Sequence, residues 1–322
     1  MCSVPLQRGR ALSPGKARAS ERERGFVLII VIAVLGLLAL AAAGFAQVTR
    51  SQVKAAASNV GSSTAQALAD AGVQLAVLDL VLGRQDPSYQ RRFSVGEKPF
   101  VCDAGDGRRL AVSITDEAGK VDLNAASDRL LQALLVGIGA SKGVADAIID
   151  FRDDDNVKRP QGAERDEYSA AGRPGPKNAP FSAVEEIEQV LGVDAELAAR
   201  LRPHITVYPG QPGIDTGSAS RELLAVLARG LGSDPGAAAS GPADQRGETD
   251  STLPAMPFMG AQGRRFFAVH AEAYADSSAF VREAVVELGQ SRARPFTFLR
   301  WYRGILREGD AALQDTGLAP CP

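Results

Sequence analysis

The sequence predicts an α+β protein: a long N-terminal transmembrane helix, then an antiparallel sheet interrupted by a helical domain. Three observations predict it. An uncharged run from Phe26 to Ala46 follows a basic segment. From about Asn124 to His204 the apolar residues recur at helical spacing. Before that stretch, and again towards the C-terminus, they alternate as strands do.

The apolar run reads FVLIIVIAVLGLLALAAAGFA, about 21 residues, and at about 1.5 Å per residue it crosses a hydrocarbon core of about 30 Å. Arg8, Arg10, Lys16, Arg18, Arg22 and Arg24 outweigh Glu21 and Glu23 ahead of it, which holds that end in the cytoplasm. The chain is then single-pass, with the rest on the far side. A secretory signal peptide cut at Ala41-Ala42-Ala43 is the competing reading. Helix continues beyond Ala46, since Val53, Ala56, Val60, Ala65, Leu68, Val73, Leu75 and Leu78 alternate with polar residues and no proline precedes Pro87.

Strand signals follow at Phe100-Val101-Cys102 and at Leu110 to Ile114, with Asp106-Gly107 as the hairpin turn between them. The helical stretch holds two helix–Gly turn–helix units. Leu130, Leu131, Leu134 and Leu135 lead through Gly137-Ile138-Gly139 to Val144, Ala145, Ile148 and Ile149. Val184, Ile187, Val190 and Leu191 lead through Gly192-Val193 to Leu197, Ala198 and Leu201. These are helix-hairpin-helix-like units. Strand character returns at Ile205 to Tyr208, and one short helix is expected over 221–230. Residues 232–260 are rich in Gly, Ala, Ser, Pro and Asp and read as a flexible loop. Phe267–Ala273, Phe280–Leu288 and Phe296–Tyr302 then form a three-stranded meander.

A net charge of −2 and a pI near 5.9 argue against a general nucleic-acid binder. With only His204 and His270, and no C-x-x-C pair, a His-based triad or a zinc ribbon lacks material. No nucleophile elbow or phosphate loop accompanies the carboxylates, so no enzyme activity is expected. The densest polar cluster joins Asp150, Asp153, Asp154, Asp155 and Asn156 to Glu164, Asp166 and Glu167. Asp153, Asp155, Glu164 and Asp166 are the candidate ligands of a hard, oxygen-loving cation, Ca²⁺. A solvated acidic loop with Lys158, Arg159 and Arg165 as counter-charges is the other reading. The Gly137-Ile138-Gly139 hairpin with Lys142 raises a DNA-binding alternative, a membrane-anchored receptor. Residues 117–166 carry more acid than base, which opposes it.

The junction Arg24-Gly25-Phe26 before the apolar helix resembles the processing site of type IV prepilins and pseudopilins. The resemblance implies cleavage between Gly25 and Phe26 by a prepilin peptidase and methylation of Phe26. Ile30 stands at the fifth mature position, where most pilins carry Glu; its absence is similar to the K-type minor pseudopilin of type II secretion. So are Gly119 to Asn124, the acidic Asp150 to Asp155 with Gly162-Ala163-Glu164 and Tyr168, and Pro176 to Phe181 with Val184-Glu185-Glu186-Ile187. The likeness runs from Gly25 to Tyr208 and loosens beyond, where Ile214 to Ala219 departs from the family pattern.

The fold so implied is a pseudopilin-like sheet with its helical insertion. Its divisions are a leader at 1–25, a transmembrane helix at 26–46, amphipathic helix and first strands at 47–123, the insertion at 124–204 and the rest of the sheet at 205–322. The implied function is a minor pseudopilin at the tip of the periplasmic pseudopilus, anchored in the inner membrane with its C-terminal domain in the periplasm. The implied partners are other minor pseudopilins and the prepilin peptidase, with the secretion pore or cargo as open candidates and no nucleic acid. Calcium sites in the acidic region are implied as well. Cys2 leaves with the leader; Cys102 and Cys321 remain and are expected to pair, tying the first strand region to the C-terminus, with two free thiols as the other reading.

Overall fold

The computed structural model describes residues 21–86, 88–96, 98–232, 265–276, 278–307 and 318–321. The first twenty residues, Cys2 among them, and nearly all of the loop expected at 232–260 lie outside the described residues. The chain divides into two units, residues 1–60 and 61–322, each taken by itself below.

The first unit is the beginning of helix α1 (Glu21–Gln85). From Phe26 to Val60 its side chains are exposed all round. Its apolar part is long and apolar enough to cross a membrane.

The second unit opens with the remainder of α1. Ala65, Ala69, Val73, Ala76 and Leu80 recur every three or four residues and are buried as one stripe. In chain order there follow β1 (Phe100–Gly105), β2 (Arg108–Asp116), β3 (Val121–Asp122), α2 (Asp128–Gly137), α3 (Gly143–Arg152) and α4 (Arg165–Ala170). A 3-10 turn over Val184–Gln189, α5 (Ala195–Leu201), β4 (Ile205–Thr206) and α6 (Arg221–Gly230) complete the helical part. Three long strands close the chain: β5 (Phe266–Ala275), β6 (Ser278–Ser291) and β7 (Arg294–Arg303).

The main sheet is antiparallel in the order β1-β2-β5-β6-β7. The hairpin β1–β2 turns at Asp106 and Gly107, whose φ angles of 53° and 74° are those an Asp-Gly turn tolerates. One face packs Leu110, Val112, Ile114, Val269, Ala271, Ala284 and Val286 against the α1 stripe. The outer edge of β1 is covered by the C-terminal tail. Asp103 N–H donates to the Ala319 carbonyl at 2.8 Å, and Cys321 N–H donates to the Asp103 carbonyl at 2.8 Å. A disulfide joins Cys102 to Cys321 beside these bonds, with Cα atoms 4.9 Å apart.

The helical part sits between β2 and β5 in the chain and has its own core, running from Val121 to Leu227. It therefore extends past residue 204: Ile205, Ile214, Ala219, Leu223, Val226 and Leu227 belong to it and not to the sheet. Ile205–Thr206 pairs in parallel with Val121–Asp122 in a separate two-stranded sheet, so the strand read there closes the base of the insertion. The first half of the second helical unit is a 3-10 turn and not an α-helix. Helices α2 and α6 cross at close range. A Cβ on Gly137 would lie 1.9 Å from the Val226 carbonyl oxygen, and one on Gly230 would lie 1.8 Å from that of Ala133.

Candidate functional site

The acidic cluster forms where α3 ends and α4 begins. Asp153 caps the C-terminus of α3, its N–H donating to the Ile149 carbonyl at 3.0 Å. Asp155 follows in the loop, and its Oδ1 accepts the Val157 N–H at 2.7 Å. Glu164 stands at the N-cap of α4 and is buried. One carboxylate oxygen from each of Asp153, Asp155 and Glu164 lies within 4.8 Å of the others. Asp166, the fourth predicted ligand, is exposed in the first turn of α4 and stands outside this group.

Two residues not assigned as ligands from sequence face the same unmet need. Asp150 is fully buried; its Oδ2 accepts the Arg159 N–H at 3.2 Å, while its Oδ1 has no partner among the described residues. Asn178, at a φ of 49°, donates from Nδ2 to the Asp155 carbonyl at 2.7 Å and leaves its Oδ1 buried without a partner. Asp153 Oδ1 and both oxygens of Glu164 are likewise buried with no partner among the described residues. Such orphaned acceptors are costly in a folded protein unless something unseen satisfies them.

The electrostatics agree. Burial, and then the charges of Asp150, Asp153 and Asp155, push the Glu164 carboxyl up from its ordinary range. Burial followed by Asp155 raises Asp153, and burial also raises Asp150. Neighbouring cations are engaged elsewhere. Arg159 pairs with Asp146 at 3.3 Å and with Asp128, and Lys158 pairs with Glu167 at 2.6 Å. Arg152 donates to the carbonyls of Leu123 and Ala126. An irregular all-oxygen donor set with carboxylates held together against their repulsion fits Ca²⁺, and it contains none of the Cys or His ligands that favour zinc.

Three N–H groups of the glycine hairpin between α2 and α3 are spent within the hairpin. Ile138, Gly139 and Ala140 N–H groups donate at 3.1, 2.9 and 2.7 Å to the carbonyls of Leu134, Val136 and Leu135. Gly137 is spent on the approach to α6.

Gly25 and Phe26 both lie within α1, and Phe26 and Ile30 are exposed. In chain order the described residues give an apolar helix of membrane-crossing length, then an antiparallel sheet with a helical insertion. Residues 110–210 match the family model described as type II secretion system (T2SS), protein K. Among solved structures, the chain is similar to one in the crystal structure of the GspK-GspI-GspJ complex from the enterotoxigenic Escherichia coli type 2 secretion system. The TM-score is 0.58 at 18% identity, covering 80% of this chain and 99% of that chain, a likeness of fold. A search of curated protein sequences finds no match. The likeness to protein K is thus carried by residues 110–210, and the solved structure adds a likeness of fold.

Proposed function

We propose that this protein acts at the tip of the periplasmic pseudopilus of a type II secretion system, by assembly and without catalysis. The observation that carries this reading is the protein K match over residues 110–210, a stretch that spans β2 and most of the helical insertion. A prepilin peptidase removes the leader between Gly25 and Phe26 and methylates Phe26. Helix α1 then anchors the subunit in the inner membrane, with the second unit in the periplasm. Ile30 supplies no carboxylate for the terminal amine of a subunit above, which suits the last position in a filament. The neighbours are counterparts of GspI and GspJ, the proteins that share the E. coli complex.

Calcium belongs to the same reading. Asp153, Asp155 and Glu164 would hold it, with the unpaired oxygens of Asp150 and Asn178 beside them. The ion would supply the positive charge that the clustered carboxylates lack, fixing the loop between α3 and α4.

Co-expression with the two cognate minor pseudopilins, followed by size exclusion with light scattering, tests the assembly. The expected species contains one copy of each chain. Elution of this chain alone under all conditions would contradict the reading.

A further inference from the structure

The two edges of the main sheet are treated differently. The C-terminal tail covers β1, whereas β7 is outermost and, among the described residues, pairs only with β6. By Arg307 the chain has left β7: its N–H donates to Glu272 on β5 at 2.9 Å and its Nη1 to Ser113 on β2 at 3.2 Å. A ten-residue strand thus presents an unpaired backbone edge among the described residues.

Exposed apolar surface gathers at the same place. Leu299, Trp301, Ile305 and Leu306 are exposed, and the only other large exposed apolar side chains described in the second unit are Leu78 and Val157. The aromatic part is ordered in advance. Phe298 meets Trp301 edge-on at 4.9 Å, Arg282 lies over the Trp301 ring at 5.2 Å, and Arg303 lies over Phe280 at 5.1 Å.

Charge names the occupant. Residues 288–307 contain five arginines and no Asp or Glu, in a chain whose net charge is −2. Arg300 pairs with Glu185, but Arg292, Arg294 and Arg303 are exposed and have no carboxylate partner among the described residues. Two such edges repel each other, which disfavours a second copy of this chain. A nucleic acid would need free aromatic faces, and Trp301 is already stacked by Arg282.

We infer that the outer edge of β7 is a docking strand for an acidic, extended segment of another protein. The segment adds to the sheet by main-chain hydrogen bonds, its carboxylates meet Arg292, Arg294 and Arg303, and its apolar side chains cover Leu299 and Trp301. This does not depend on the secretion role.

Trp301 is the single tryptophan of the chain, so its emission reports on this edge directly. Full-length protein in detergent is titrated with acetyl-Glu-Val-Glu-Val-Glu-Val-Glu-amide, with the matching lysine peptide, and with a single-stranded oligothymidine. The expected result is a saturable emission change with the acidic peptide alone. The double variant Arg294→Glu/Arg303→Glu, checked for unchanged circular dichroism and Tm, should weaken binding by about tenfold or more. No saturable change with the acidic peptide, an equal response to the lysine peptide, or tighter binding of the oligonucleotide would overturn the inference.

Discussion

Gly137 and Val226 are in backbone contact: the Cβ that Gly137 lacks would lie 1.9 Å from the Val226 carbonyl oxygen. Gly230 makes the reciprocal approach to Ala133, so α2 and α6 touch through two glycines. This ties residues beyond 204 into the helical insertion. Gly137→Ala must push the helices apart or break the α6 turn, at a cost of about 2–4 kcal/mol. Chemical denaturation of the full chain checks it. A loss below 0.5 kcal/mol, roughly the noise of a surface change, would show that the crossing is loose.

On the proposed calcium reading, Ca²⁺ should raise the thermal stability of the protein, because only the folded chain brings Asp153, Asp155 and Glu164 together. At a concentration about a hundred times its Kd the gain is about 2.7 kcal/mol. Glu164→Gln and Asp153→Asn should abolish most of that gain, and Asp166→Asn should leave it unchanged, since Asp166 is outside the convergent group. Calorimetry that shows no heat of Ca²⁺ binding at millimolar concentration would remove the metal from the account.

His204 carries a separate pH dependence. It is buried, and burial, helped by Lys120 and opposed by Glu222, depresses its pKa below the ordinary 6.5. The folded chain therefore holds it neutral while the unfolded chain takes up a proton. Its contribution is fully present above about pH 6.5 and is lost as the pH falls through the lower folded value. The stability difference between wild type and His204→Gln should be flat from pH 7 to 8 and narrow towards pH 5. A difference that stays constant over that whole range would mean that His204 titrates alike in both states.

Much of this architecture is legible in the residues, for identifiable reasons. The run from Phe26 to Ala46 has no reading as an exposed soluble helix, and Asp106-Gly107 between two alternating segments specifies a tight hairpin. The meander of β5, β6 and β7 follows from the same alternation. The end of the insertion is not legible, because Ile205, Ile214 and Leu223 look equally apolar whichever core they enter. Nor is the 3-10 turn at Val184–Gln189, since spacings of three suit both helix types. Within the acidic cluster, the D-x-D spacing brings Asp153 and Asp155 together, but that Asp150 and Asn178 turn unpaired oxygens inward while Asp166 lies outside the group depends on how the loop folds back. Asn178 carried a faint signal: it lies in Pro176-Lys177-Asn178-Ala179-Pro180, where a positive φ favours Asn.

The central claim is that α1 enters the membrane as a processed pilin-type helix with its sheet and insertion on the far side. The most direct test is the N-terminal sequence and intact mass of the mature protein from membranes. The account predicts a start at methylated Phe26, with Cys102 and Cys321 joined. A mature chain that begins after Ala43, or one that retains Met1, would contradict it.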